Sequence, residues 1–293
     1  MIVVKKIKAA LRLTRIEHSI MLVIAVIAGE VITGAIPNAI AFILSIITPI
    51  FVSMGSFAIN DYYDVKADRA NRRMDRPLVN GSLTRDEALS IAIASFAIGV
   101  LASLFINAYA FIIALVFAAL AVLYSYRLKD MLLIGNIYIA FSMVIPFIYG
   151  NYIVSTKLHA SIVLIGIIIF LAGAAREIHG MIRDYMGDAK ARKSRNLLYH
   201  VGQNRAAQLA AVLYIEAIMV SIYLFFFTAP FAFNLVYIAP IIVTDIALAY
   251  ISYGYLVGSK SKGFYSLSRN LSLGVMALSL LAFLAAALVY IRI

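Results

Sequence analysis

The chain has no cysteine and no tryptophan among its 293 residues, only 4 histidines, and only 14 acidic side chains. Without cysteine there is no thiolate nucleophile, no disulfide and no Cys-ligated metal. His18, His159, His179 and His200 are dispersed, with no spacing of the kind that holds a metal ion. Without tryptophan, anchoring at a membrane–water interface falls to the 18 tyrosines. Charged residues make up 13% of the chain and hydrophobic residues 64%, far from the balance of a soluble domain. The longest polar stretches, 64–86 and 183–206, have the length of loops and leave no room for a soluble domain.

What remains is apolar and periodic. Runs of about 20 hydrophobic residues, each enough to cross a hydrocarbon core, recur along the whole length. The sequence predicts an all-α polytopic membrane protein with nine transmembrane helices, at 16–35, 39–63, 86–106, 109–126, 132–150, 159–183, 206–228, 232–257 and 268–291. Residues 1–293 form one transmembrane domain in this reading. With the N-terminus inside, only Lys157 and Arg292 of the 25 Lys and Arg residues fall on the outer side. The positive-inside rule then gives an N-in, C-out topology. Adding or dropping any span would destroy the bias, so the first apolar stretch reads as a retained helix rather than a signal peptide. The net charge of +11 is mostly this topology signal together with attraction to anionic membrane lipids. It implies no nucleic-acid partner, and no oligomeric state is read from it.

The scarce carboxylates gather at two places. Asn60-Asp61-Tyr62-Tyr63-Asp64-Val65-Lys66-Ala67-Asp68 ends the second span, and Asp184-Tyr185-Met186-Gly187-Asp188 ends the sixth. At ~100° per residue, a spacing of four stacks side chains along one helix face. Asn60, Asp64 and Asp68 would therefore present a column of oxygen donors, as would Asp184 and Asp188. Mg²⁺ takes oxygen ligands, keeps several waters, and is held by one or two carboxylates plus substrate phosphates. Both stretches run into basic segments, so the pattern suits a metal-bridged diphosphate. A solvated helix end is the bland reading of one such stretch, and two of them on the same side weaken it. Tyr124, Tyr126, Tyr138, Phe141 and Tyr149 are candidates for an aromatic wall, with plain packing as the alternative for all but Tyr124.

These motifs resemble the UbiA superfamily of intramembrane prenyltransferases. The α-helical stretch Asn60 to Asp68 looks like its first signature, and Asn71, Arg76-Pro77 and Gly81-Ser82-Leu83 look like its continuation. Tyr124-Ser125-Tyr126-Arg127-Leu128-Lys129 is similar to the element after the fourth helix, and Arg176-Glu177 through Asp188 to the second signature. The resemblance covers nearly the whole chain. It implies helices around a central cavity, capped on the cytoplasmic side by the loops that carry both signatures, in the cell membrane. It implies Mg²⁺-dependent transfer of an isoprenyl chain from its diphosphate. Asn60, Asp64, Asp68, Asp184 and Asp188 would bind metal, Arg127 and Lys129 phosphate, and Tyr124 would face the reacting allyl group. Met181 stands where many members carry a further Asp, which leaves the number of ions open.

For the acceptor, the second signature and the short loop after Asn71 look most like an archaeal branch. There, geranylgeranyl diphosphate reacts with a phosphorylated glycerol prenyl ether, geranylgeranylglyceryl phosphate. Arg72, Arg73, Arg76 and Lys190, with Arg192, exceed the needs of one diphosphate and suit a second phosphorylated substrate. Arg15-Ile16-Glu17-His18-Ser19 is instead reminiscent of relatives that use 4-hydroxybenzoate, with Arg15 as the contact to an anionic aromatic acceptor. Glu30, Glu216 and Asp245 lie within spans, where ionisable groups are costly and often functional. They keep a secondary transporter as a remote alternative. Glu30 reads as interfacial, Asp245 and Glu216 as protonated or paired with a polar group on another helix, and His179 as a surface or packing residue, with support of the second signature as the alternative. Asp61 and Asp68 are the candidates for taking the acceptor's proton.

Overall fold

Among the described residues every regular element is helical, as expected of a chain that must satisfy its backbone groups within hydrocarbon. The computed structural model describes residues 2–131, 133–187, 197–258 and 261–291. Among them lie α1 (Ile2–Thr14), α2 (Ser19–Ile32), α3 (Ala39–Ala70), α4 (Arg85–Leu104), α5 (Ala108–Tyr126) and α6 (Ile134–Ser142). They are followed by α7 (Ile145–Val154), α8 (Ala160–Gly187), α9 (Leu197–Phe227), α10 (Leu235–Leu256) and α11 (Lys262–Ile291).

The starts of these helices are written in their side chains. Asn38 accepts from the Ala41 N–H at 3.0 Å, Asn107 from the Ala110 N–H at 2.9 Å, and Asn234 from the Val236 N–H at 2.9 Å. Each satisfies a backbone donor that the first turn leaves over. Thr84 and Glu87 form a reciprocal capping box that opens α4.

Among the described residues, seven helices are long and apolar enough to cross a membrane, and α6 with α7 would make an eighth, bent by 42° at the break between them. The predicted span 16–35 takes a different form. Arg15 adopts a left-handed conformation (φ 46°), and a 3₁₀ turn at Ile16–His18 separates α1 from α2. Helix α2 has 14 residues, about 21 Å of rise, short of a ~30 Å hydrocarbon core. The basic N-terminal segment is itself helical. Ala9 and Leu13 of α1 are buried among Ala58, Ile59 and Val65 of α3 and Ala88 and Ala92 of α4, while Lys5, Lys8 and Arg12 stay exposed.

Small residues set how closely the helices approach, as is usual where lipid removes the hydrophobic drive between spans. At the α2–α7 crossing, a Cβ on Gly150 would lie 2.1 Å from the Val26 carbonyl oxygen, and one on Gly29 2.4 Å from that of Phe147. Backbone meets backbone there, so no larger residue fits. The outer faces carry exposed Ile98, Leu101 and Leu104 on α4 and Ile222 and Phe226 on α9, surfaces made for lipid. One apolar core joins α8, α9, α10 and α11, and another joins α1, α3 and α4. Helices α2, α3, α5, α6 and α7 leave a cavity between them.

Two in-span carboxyls differ from each other. Asp245 of α10 accepts from the Ser221 hydroxyl of α9 at 2.7 Å, the interhelical pairing expected of it. Glu30, in the last turn of α2, is 1% exposed, because the close α2–α7 crossing covers it. Glu216 is exposed on α9.

Candidate active site

The cavity has a volume of about 440 Å³ and runs from the C-terminal half of α3 toward the middle of the fold. Arg15, His18, Phe57 and Asn60 line one end, with Tyr124 and Ser125 of α5. Phe117, Tyr138 and Tyr149 continue the wall, with Val26, Thr48 and Val52. Tyr124 stacks on Tyr138 with ring centroids 4.6 Å apart and planes at 21°, so each ring braces the other in the cavity wall. Of the five aromatics expected in the wall, Tyr124, Tyr138 and Tyr149 line the cavity. Tyr126 and Phe141 do not: they are 62% and 42% exposed, on outward faces of their helices. Phe57 and Phe117 take their places, and nothing in their sequence neighbourhoods marks them.

Above that end stands the acidic turn of α3. Asn60 reaches the cavity, while Asp64 and Asp68, one turn apart, are half-buried. The Lys129 ammonium donates to Asp64 Oδ1 from the 3₁₀ turn Leu128–Asp130 that follows α5. Asp61 is 2% exposed. Its Oδ1 accepts from Arg15 Nη2 at 2.5 Å and from Arg76 Nη1 at 3.2 Å. Arg15 also lies over the Phe57 ring, 4.6 Å from its centroid, and Arg76 Nε reaches to 4.0 Å from Asp68 Oδ2. One buried carboxylate thus ties the α1–α2 corner, α3 and the loop after α3 together.

The remaining basic candidates divide by partner. Arg73 grips Asp75 through two hydrogen bonds of 3.0 and 2.8 Å, and this grip holds the exposed Asp75 carboxyl below the usual carboxylate range. Arg72 is exposed with φ 54°, and Arg127 is exposed at the C-terminus of α5. Neither has an ion-pair partner among the described residues.

The second acidic stretch is only partly placed. Asp184 lies on α8, but its side chain is outside the described residues, as are Asp188, Lys190 and Arg192. On the same helix, Glu177 accepts from Asn136 Nδ2 of α6 at 3.2 Å. His179 is buried among Tyr255 and Tyr265 and hydrogen-bonded to the Tyr255 hydroxyl, a packing position rather than a surface one. No group of three or more His, Asp or Glu side chains placed to hold a metal occurs among the described residues. The donors that α3 does supply are all oxygen, the chemistry a hard divalent cation requires.

Known proteins resemble this chain in sequence and fold. The chain is 37% identical over 281 residues to the digeranylgeranylglyceryl phosphate synthase of Archaeoglobus fulgidus, covering 96% of this chain and 95% of that one. It is 32% identical over 217 residues to the synthase of the same name from Thermococcus kodakarensis, covering 73% and 76%. A solved structure described as digeranylgeranylglyceryl phosphate synthase in membranes superposes with a TM-score of 0.81 at 27% identity, over 98% of this chain and 99% of that one. A UbiA homologue from Archaeoglobus fulgidus, solved with DMAPP and Mg²⁺ bound, shares the fold with a TM-score of 0.69 at 24% identity, over 97% and 99%. The sequence pattern of the UbiA prenyltransferase family matches residues 20–274. This multi-pass helical chain, with its acidic turn set over an aromatic cavity, belongs to the UbiA prenyltransferase family.

Proposed function

We propose that this prenyltransferase moves a geranylgeranyl group from its diphosphate to geranylgeranylglyceryl phosphate, forming the second ether bond of an archaeal-type membrane lipid. The observation that carries the reaction class is the stacking of two environments: cations and carboxylates at the α3 turn, and a largely apolar, aromatic slot directly beneath. An amphipathic diphosphate with a long hydrocarbon tail fits that sequence of surfaces. The acceptor is supported by the 37% identity over nearly the full length to a synthase of that name.

Asn60, Asp64 and Asp68, with Asp184 and Asp188, would hold Mg²⁺. When bound, it supplies Lewis-acid neutralisation of the leaving diphosphate. Lys129, already within reach of Asp64, donates to phosphate oxygens, and its charge stabilises the diphosphate as the C–O bond breaks. Arg127, exposed beside it, adds a second donor. Tyr124, braced by Tyr138, offers its π face to the allylic cation, a contact of the cation–π type. The apolar walls keep water from capturing that cation. The acceptor oxygen must then sit ~3–3.5 Å from the carbon, which is positioning work. Asp61 is committed to Arg15 and Arg76, so Asp68 is the carboxylate with an open face to take the acceptor's proton.

The arginines favour the phosphorylated acceptor over the aromatic one. Arg15, on which an anionic aromatic acceptor would depend, is engaged by Asp61 and by the Phe57 ring. Arg72 is free to meet a second phosphate at the rim. We further place both acidic turns and the N-terminus on the cytoplasmic face of the cell membrane, with nine crossings in one domain over 1–293. The charge distribution of the connections supports this. The experiment offers purified protein labelled geranylgeranyl diphosphate and Mg²⁺, with geranylgeranylglyceryl phosphate and 4-hydroxybenzoate in parallel. Label on the phosphoglycerol acceptor supports the reading. Label on the aromatic acid alone would move the function to quinone-type biosynthesis.

A further inference from the structure

Helix α1 carries three bands of side chains where an ordinary amphipathic helix has two. Ala9 and Leu13 are buried against α3 and α4, and Lys6 on that side pairs with Glu87 of α4 at 2.5 Å. Val4, Ile7 and Leu11 form a second band, 69%, 56% and 48% exposed. Lys5, Lys8 and Arg12 form a third, within ~60° of one another at the helical pitch and next to the apolar band. All three of these cations are exposed, and none meets a carboxylate among the described residues.

The level of α1 in the fold gives the two outer bands a purpose. Its buried side meets Ala58, Ile59 and Val65, where the apolar run of α3 gives way to the acidic turn, and Ala88 and Ala92 in the first turns of α4. These are ends of spans, so α1 sits beside the bundle where hydrocarbon meets headgroups. There an exposed apolar band faces acyl chains, and a cationic band next to it faces headgroups. The cationic band is also not flat. Lys5, Lys8 and Arg12 form one wall of a depression of about 220 Å³, and Pro77, Asn80 and Ser82 of the loop after α3 form the other. That second wall is fixed by its own bonds. Asn80 Oδ1 accepts from the Ser82 N–H at 2.9 Å and the Ser82 hydroxyl at 2.5 Å, and Asn80 Nδ2 donates to the Met74 carbonyl at 3.0 Å. Three like charges around one hollow repel one another, and an anion placed among them reverses that cost.

We propose that this depression binds the phosphate of an anionic membrane lipid, with Lys5, Lys8 and Arg12 as its donors and the lipid's chain laid along Val4, Ile7 and Leu11. The site shares no lining residue with the cavity between α2, α3, α5, α6 and α7. It does bridge the two segments that hold Asp61, since Arg15 follows α1 directly and Arg76 precedes Pro77 in the loop. A bound headgroup therefore ties that corner together from outside.

The test titrates the full-length protein in neutral detergent with dioctanoyl phosphatidic acid, counts bound lipid by native mass spectrometry and follows the thermal transition. Dioctanoyl phosphatidylcholine and inorganic phosphate are run in parallel. Wild type should bind phosphatidic acid at least tenfold more tightly than either, and melt at a higher temperature with it. Lys5→Gln, Lys8→Gln and Arg12→Gln should each weaken that binding about fivefold, the scale of one cation near an anionic headgroup, and the triple variant at least twentyfold. Lys66→Gln with Arg69→Gln and Arg205→Gln removes the same charge from exposed positions elsewhere and should stay within twofold of wild type. The single variants carry the test if the triple one fails to fold. Equal weakening in both triple variants would mean a general attraction of charge and overturn the site. Inorganic phosphate or phosphatidylcholine binding as tightly as phosphatidic acid would overturn it too.

Discussion

Lys129 donates a hydrogen bond to Asp64 across 65 residues of sequence, joining the turn after α5 to the acidic end of α3. Together they bring a cation and a carboxylate to the rim of the aromatic cavity, where charge on a leaving diphosphate would develop.

Lys129→Met removes the cation and keeps the length of the side chain. The expected outcome is a fall of kcat/KM by about 10²-fold, the usual cost of deleting one preorganised donor. Lys129→Arg should recover part of it. Steady-state kinetics with a varied donor checks both, and a Met variant within threefold of wild type would remove Lys129 from the reaction.

Asp64→Asn and Asp68→Asn should leave the helices intact and nearly abolish turnover. Retention of more than about a tenth of activity would mean less than ~1.4 kcal/mol of lost transition-state stabilisation, too little for an essential metal ligand. Circular dichroism and transfer assays on the same preparations separate folding from function.

Asp61 should behave oppositely. Asp61→Ala strands the Arg15 and Arg76 guanidiniums in a buried setting, where breaking such a pair costs about 3 kcal/mol or more. The expected result is a lowered thermal transition in detergent with loss of activity following from it. A normal transition with abolished turnover would instead assign Asp61 a direct chemical role.

Tyr124→Leu should release more free prenyl alcohol per ether formed, because the π face that holds the allylic cation is gone and water competes. Tyr124→Phe keeps the face and should stay near the wild-type ratio. Product analysis by chromatography decides it.

Much of this was legible in the sequence, for identifiable reasons. Asn60, Asp64 and Asp68 recur at the helical spacing, so their common face is arithmetic. Scarcity of carboxylates made the two stretches stand out. The aromatic wall was only half legible. On α5, Tyr124 shares its cavity face with Ala121, Phe117, Ala114 and Ile113, while Tyr126, two residues on, turns away. Along a span that is apolar all round, no polar stripe tells which side is inside, so Phe57 and Phe117 carried no signal. The burial of Glu30 was not legible for a related reason: it depends on Gly29 and Gly150 letting two backbones touch, a tertiary fact. The left-handed Arg15 that splits α1 from α2 carries none of the glycine or asparagine that usually marks such a turn.

The central claim is that the acidic turn of α3 receives the donor's diphosphate through a divalent cation. Calorimetry with unreactive geranylgeranyl thiodiphosphate tests it most directly, titrating wild type with Mg²⁺, wild type with chelator, and Asp64→Asn with Mg²⁺. The account expects tight binding in the first case and at least tenfold weaker binding in the other two. Equal affinity in all three would contradict it.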